Sequence, residues 1–205
     1  MSWRPAAIAV LAAASCGASP SAGTPLASTA SLVARLGRTG HGEARLVQTV
    51  VAQGETLRAD RGRVALEPPD RLRLDFAASG ERITMRGDGG EWLQPAMKQL
   101  LILRPEQAQT VVATWRAFLD GGAGAYRERA LGPRRYRLIP IADANADADS
   151  LEVELGPDRL PRRVQIWVQD QRWWLTLSSW SFGRPKGPTA FTVRAPAGYA
   201  VLEWP

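Results

Sequence analysis

Four acidic or amide side chains on alternate residues, Asp143, Asn145, Asp147 and Asp149, followed by Glu154, give the stretch "DANADADSLEVE" the oxygen-ligand spacing of a calcium loop. Chemistry at that spacing needs a backbone that turns sharply inside the loop. Ala148 stands where such loops carry glycine, and Ser150 stands where they carry an apolar residue. The flanking "YRLIPI" and "LEVEL" read as strands rather than as the two helices of a calcium hand. The run is therefore expected to be a polar hairpin loop with no metal. Catalytic material is otherwise scarce. The single histidine, His41, lies in the glycine-flanked "TGHGE" and reads as a loop residue. Ser178, Ser179 and Ser181 lie within a strand pattern, and neither a G-x-S-x-G elbow nor an H-E-x-x-H zinc motif occurs. No enzyme activity and no cofactor are expected.

The remaining reactive group is Cys16, the only cysteine in 205 residues, so no intrachain disulfide can form. It follows "MSWR" and the apolar run "PAAIAVLAAA", which is too short for a bilayer span of about 20 residues and suits the core of an export signal. A lone cysteine there, ahead of "GASPSAGTP", resembles a bacterial lipobox, although Ala13 replaces the usual leucine. Residues 1–16 are expected to be the leader and 17–27 a flexible tether. Residues 28–205 are expected to form the folded domain, located in the periplasm and anchored to the outer membrane if Cys16 is lipidated. Export excludes nucleic acid as a natural partner. The net charge of +6, almost all of it arginine, then suits either a solvated sheet face or an anionic membrane surface.

The elements behind these residues are mostly strands. "LASTASLVARLG" has helical spacing, with Ser28 or Thr29 as cap and Gly37 and Gly40 as stops. After it the period changes to two. "EARLVQTVVA", "TLRADRGRVAL", "DRLRLDF", "RITMRG", "EWLQ" and "KQLLIL" read as successive strands, and "GDGG" as a tight turn. "DRLRLDF" puts Leu72, Leu74 and Phe76 on one face. "RRYRLIPI", "SLEVEL", "RRVQIWVQD", "RWWLTLSSWSF", "AFTV" and "YAVLEW" complete the series. In "RWWLTLSSWSF" strict alternation sets Trp174, Trp180 and Phe182 on one face and Trp173, Leu175 and Leu177 on the other, which predicts that both faces are covered.

One stretch breaks the pattern. In "RPEQAQTVVATWRAFLDGG", Pro105 opens and Gly121 and Gly122 stop a helix whose apolar face is Val111, Val112, Trp115, Phe118 and Leu119. A mainly β (α+β) chain of about eleven meandering strands is expected to curl into a barrel or half-barrel, and this helix is either its cover or its plug.

"GRVALEPPDRLRLDF", then "MRGDGGEWLQPAMKQLLIL" and the closing "AFTVRAPAGYAVL", together resemble the LolA family of periplasmic lipoprotein carriers and its outer-membrane receptor relative LolB. The resemblance is weak, spans residues 30 to 203, and rests on the order and spacing of these features. It implies an incomplete antiparallel barrel closed by helices around an apolar cavity for lipoprotein acyl chains. A monomeric carrier with handover partners at the inner membrane, the outer membrane or both is expected. Leu72, Leu74 and Phe76 match the family's apolar strand, Trp92 its hairpin tryptophan, and "VVATWRAFL" its lid. Family carriers place a basic residue before the turn's proline to help hold the lid shut; Pro68 occupies that position here, which implies a different latch or cargo. A LolB-like receptor, or a structural lipoprotein with a plain packed barrel, are the alternatives.

Overall fold

The computed structural model of the chain describes residues 24–105, 115, 117–122, 124–141, 150–168 and 171–204. Its strands are β1 (His41–Ala52), β2 (Glu55–Glu67), β3 (Arg71–Phe76), β4 (Arg82–Arg86), β5 (Gly89–Gln94) and β6 (Gln99–Leu103). The second half adds β7 (Tyr126–Gly132), β8 (Arg135–Pro140), β9 (Leu151–Leu155), β10 (Pro161–Val168), β11 (Gln171–Gly183) and β12 (Ala200–Glu203). They form one 12-stranded sheet in the order β12-β6-β5-β4-β3-β2-β1-β11-β10-β9-β8-β7. Every pairing is antiparallel except β12 on β6. The two end strands of that order, β12 and β7, are not hydrogen-bonded to each other, so this is the expected incomplete barrel.

Short connections explain why neighbours in sequence are neighbours in the sheet. Gln53 and Gly54, both at positive φ, make the two-residue turn from β1 to β2. Helix α1 (Ala30–Thr39) buries Leu32 and Leu36, one turn apart, against the sheet. Gly37 does not stop it. Exposed and with open space around it, Gly37 stays helical, and the stop is Gly40, whose φ of 86° lets its N–H return to the Leu36 carbonyl. Thr29 precedes the helix but turns its hydroxyl to the Leu26 and Gly121 carbonyls instead of capping.

Two other expectations differ. "AFTV" is not a strand. Pro188–Phe191 forms a 3-10 turn, as the fixed φ of Pro188 at its start favours. Conversely, β7 was not legible: "YRERALG" is exposed along nearly its whole length, so it lacks the apolar alternation that marks a half-buried strand.

Candidate functional site

The inner face of the sheet is built by alternation. On β3, Leu72, Leu74 and Phe76 are buried while Arg71, Arg73 and Asp75 point outward. Register extends the apolar face on both sides. Leu66 and Val64 stand opposite Leu72 and Leu74, and Met85 and Ile83 face them from β4. Trp92 lies opposite Ile83, and Leu101 opposite Trp92. Gly62 faces Phe76, where an added Cβ would lie 2.0 Å from the Asp75 carbonyl oxygen, so only glycine fits.

The described part of the central helix joins this face. Trp115 and Phe118 are 5% and 1% exposed, their rings are 5.8 Å apart, and they share one core with Leu119, Leu72, Leu74, Phe76 and Trp92. Of the sequence-derived site residues, these seven belong to one core, and Trp180 packs against that core. Val111, Val112 and Cys16 lie outside the described residues, as do Asp143, Asn145, Asp147 and Asp149. Glu154 belongs to β9, reaches Arg163 at 3.4 Å, and the segments flanking the acidic run are strands as expected.

Trp174 is a correction. It shares no face with Trp180, because β11 carries a bulge. Glu43 pairs with Ser181 but Arg45 with Ser178, so β11 spends one extra residue there, and Ser179 takes a φ of 53°. The bulge reverses the alternation. Trp173, Leu175 and Leu177 face inward before it; Trp180 and Phe182 face inward after it, stacked at 6.0 Å. Trp174, opposite Thr49 and Gln165, faces outward. The apparent two-sided apolarity of β11 is thus one apolar face interrupted by a change of register, and no second cover is needed.

One end of the inner face is polar. Arg58 lays its guanidinium over the Phe76 ring at 5.3 Å and reaches Ser79 and Glu81 at 3.2 Å. Glu81 in turn accepts from the Trp92 indole at 3.4 Å. Asp60 is buried beside them and accepts from the N–H groups of Arg61, Ala78 and Ser79 and from the Ser79 hydroxyl. Burial alone would push this carboxyl up. The donors from Ala78, Ser79 and Arg61 outweigh it and hold the carboxyl below its ordinary value of 3.8.

A carboxyl whose pKa is lowered by folding adds stability that is complete above its unfolded value and is lost as pH falls through the folded one. Wild type should therefore lose stability below about pH 4 by a step that Asp60→Asn lacks. At neutral pH, Asp60→Ala should cost about 2–4 kcal/mol, because it strands buried N–H donors. Urea denaturation as a function of pH measures both; identical acid limbs for wild type and Asp60→Asn would refute the assignment.

His41 is a second correction. It is the first residue of β1, buried rather than in a loop, with Nε2 3.0 Å from Glu43 and Nδ1 3.7 Å from Glu67. Its ring meets the edge of Phe191 at 6.2 Å. Buried Glu67 also accepts from Arg71 and, at 2.7 Å, from the Lys186 N–H. Lys186 bonds Glu43, and this ammonium, with burial opposing and His41 assisting, holds the Glu43 carboxyl below its ordinary value. Arg73 and Arg86 donate to the Ala190 and Phe191 carbonyls at 2.8 and 2.6 Å. The Glu91 carboxylate, hydrogen-bonded to Arg86, raises the pKa of that guanidinium. These bonds strap residues 186–191 to the outer face, so the cluster is a fastening. Sequence inspection missed it because its members are distant in the chain.

Fold and site define a class: an open β half-barrel with a continuous apolar inner face, polar at one end and backed by helices. An uncharacterized conserved protein from Thermus thermophilus shares this fold, with a TM-score of 0.51, 14% identity, and 84% of this chain aligned to 97% of that one. A LolA superfamily protein from Nitrosomonas europaea aligns with a TM-score of 0.42 and 11% identity over 80% of this chain and 97% of its own. The lipoprotein LppX from Mycobacterium tuberculosis aligns at 0.38 and 12% identity, over 73% and 94%. No family model matches the sequence, and no match among curated proteins reaches significance.

Proposed function

We propose that this protein is a periplasmic carrier of lipids or lipoproteins that takes acyl chains between the inner face of the sheet and the central helix and delivers them toward the outer membrane. The observation that supports this reading most is the continuous apolar core from β3 to the helix residues Trp115 and Phe118, inside a sheet whose end strands are not bonded to each other. The open seam is apolar too: Leu202 of β12 is exposed beside Leu101, and Trp204 packs on Trp92 at 5.4 Å. Arg58, Asp60 and Glu81 would meet the polar end of a cargo.

Energetics favour a carrier over a sink. Burying a CH₂ group is worth about 0.8 kcal/mol, so one long acyl chain gains roughly 12 kcal/mol over water. A bilayer offers the same gain. Transfer between membrane and protein is then nearly neutral, and closure of the helix over the chain sets its direction.

Mass spectrometry of the intact protein purified from membranes and from periplasm tests the proposal. The expected spectrum contains a co-purifying acyl lipid, and it reads the mature N-terminus and any diacylglycerol on Cys16 as well. A folded protein that carries no acyl lipid and binds no fluorescent fatty acid would leave a packed barrel and remove the carrier.

A further inference from the structure

The outer faces of β2, β1 and β11 carry a charge pattern that an acyl cavity does not use. In register, Arg63 stands opposite Arg45 and Arg45 opposite Ser178. Arg61 stands opposite Val47, and Val47 opposite Thr176. Next come Ala59, Thr49 and Trp174, and then Val51 opposite Arg172, which faces Trp167 of β10. Like charges set directly opposite each other destabilise a sheet.

On β3, β4 and β8 the outer-face arginines are answered: Arg71 by Glu67, Arg73 and Arg82 by Asp75, Arg86 by Glu91, and Arg135 by Glu152, whereas Arg127 and Arg129 of the edge strand β7 have no ion-pair partner among the described residues. Arg45, Arg61, Arg63 and Arg172 have no ion-pair partner among the described residues. Asp75 does stand opposite Arg63, but Arg73 holds its carboxylate at 2.8 Å and Arg82 reaches it at 3.5 Å. Apolar side chains sit among the free charges. Val47 is 39% exposed, Trp174 is half-buried, and Leu57, the extra residue where the β1–β2 register shifts, is 55% exposed. The strap at residues 186–191 lies over β3 and β4 and leaves this patch uncovered.

We propose that this outer face docks on the anionic headgroup layer of a lipid bilayer. The four unpaired arginines meet lipid phosphates, while Val47, Leu57 and Trp174 enter the boundary between headgroups and acyl chains. The mixture selects the partner. Unpaired arginines call for anions, and indole and aliphatic side chains between them favour the interfacial layer, where one side of the contact is wet and the other apolar. The inference is independent of an acyl cargo inside the barrel, and its test uses none.

The test is co-sedimentation of the full chain with vesicles of phosphatidylcholine alone and of phosphatidylcholine mixed with phosphatidylglycerol. Wild type should bind the mixed vesicles, release with salt, and bind the neutral ones far less. Replacing Arg45, Arg61 and Arg63 with Gln removes three surface charges and should weaken binding to mixed vesicles about a hundredfold. Arg163→Gln, which removes an arginine already paired, should leave it nearly unchanged. The leader is the same in every variant, so the difference reports the face. Equal binding by wild type and the triple variant overturns the proposal, as does equal binding to both vesicle types or preference for double-stranded DNA over the mixed vesicles. If the triple variant does not fold, wild-type binding that is insensitive to salt overturns it.

Discussion

Replacing Trp115 and Phe118 together with alanine is expected to remove about 6 kcal/mol or more of folding stability, since each large-to-small change in a core costs roughly 3–5 kcal/mol. Both side chains are almost completely buried, they touch each other, and they belong to the same core as the β3 residues. A loss of that size unfolds a domain of ordinary stability. Urea denaturation of the single and double variants measures it. Phe118→Leu keeps most of the volume and should cost only about 1 kcal/mol, so it stays folded and its acyl affinity can be read. A double variant that melts close to wild type would mean that this face rests loosely on the sheet. If Phe118→Leu then left acyl binding unchanged, the helix would have no part in holding the cargo.

That helix was legible in the sequence because its period contrasts with everything around it. The Gly121–Gly122 pair marked the end of its described part, and Trp115, Phe118 and Leu119, predicted for its apolar face, are buried. The strands of the first half were equally legible, since Leu72, Leu74 and Phe76 alternate with Arg71, Arg73 and Asp75 on a sheet with one dry face. What the sequence hid was long-range and polar. The partners His41, Glu67 and Lys186 are spread over the chain and meet only through the strap. Asp60 shares the parity of Val64 and Leu66, so alternation turns it inward, but the donors that satisfy it come from the turn after β3 and cannot be read from its own strand. β7 was missed because an exposed edge strand needs no apolar pattern to pair. Trp174 was misplaced for a different reason: one residue of bulge reverses the alternation, and hydrophobic periodicity does not record where that residue falls.

Deleting Ser179 tests that last point and should have the second-largest effect. Side chains in a strand alternate with a period of two, so losing one residue turns one half of β11 inside out. Leu175 and Leu177 are both buried, so the shorter half beyond the bulge should yield, swinging Trp180 and Phe182 into solvent. Two large side chains lose about 1.5–3 kcal/mol of burial each. The bond from the Trp180 indole to the Pro161 carbonyl, 2.9 Å long, is lost as well and adds about 1 kcal/mol. The deletion should therefore cost about 4–7 kcal/mol and shift tryptophan emission to the red. Ser179→Gly separates the register from the residue. A φ of 53° strains any side chain with a Cβ, so glycine there should hold or raise stability, by up to about 1 kcal/mol. Denaturation monitored by tryptophan fluorescence reads both variants. A deletion variant as stable as wild type, with unchanged emission, would mean that the strand absorbs the missing residue elsewhere and that the bulge does not set which aromatics face the core.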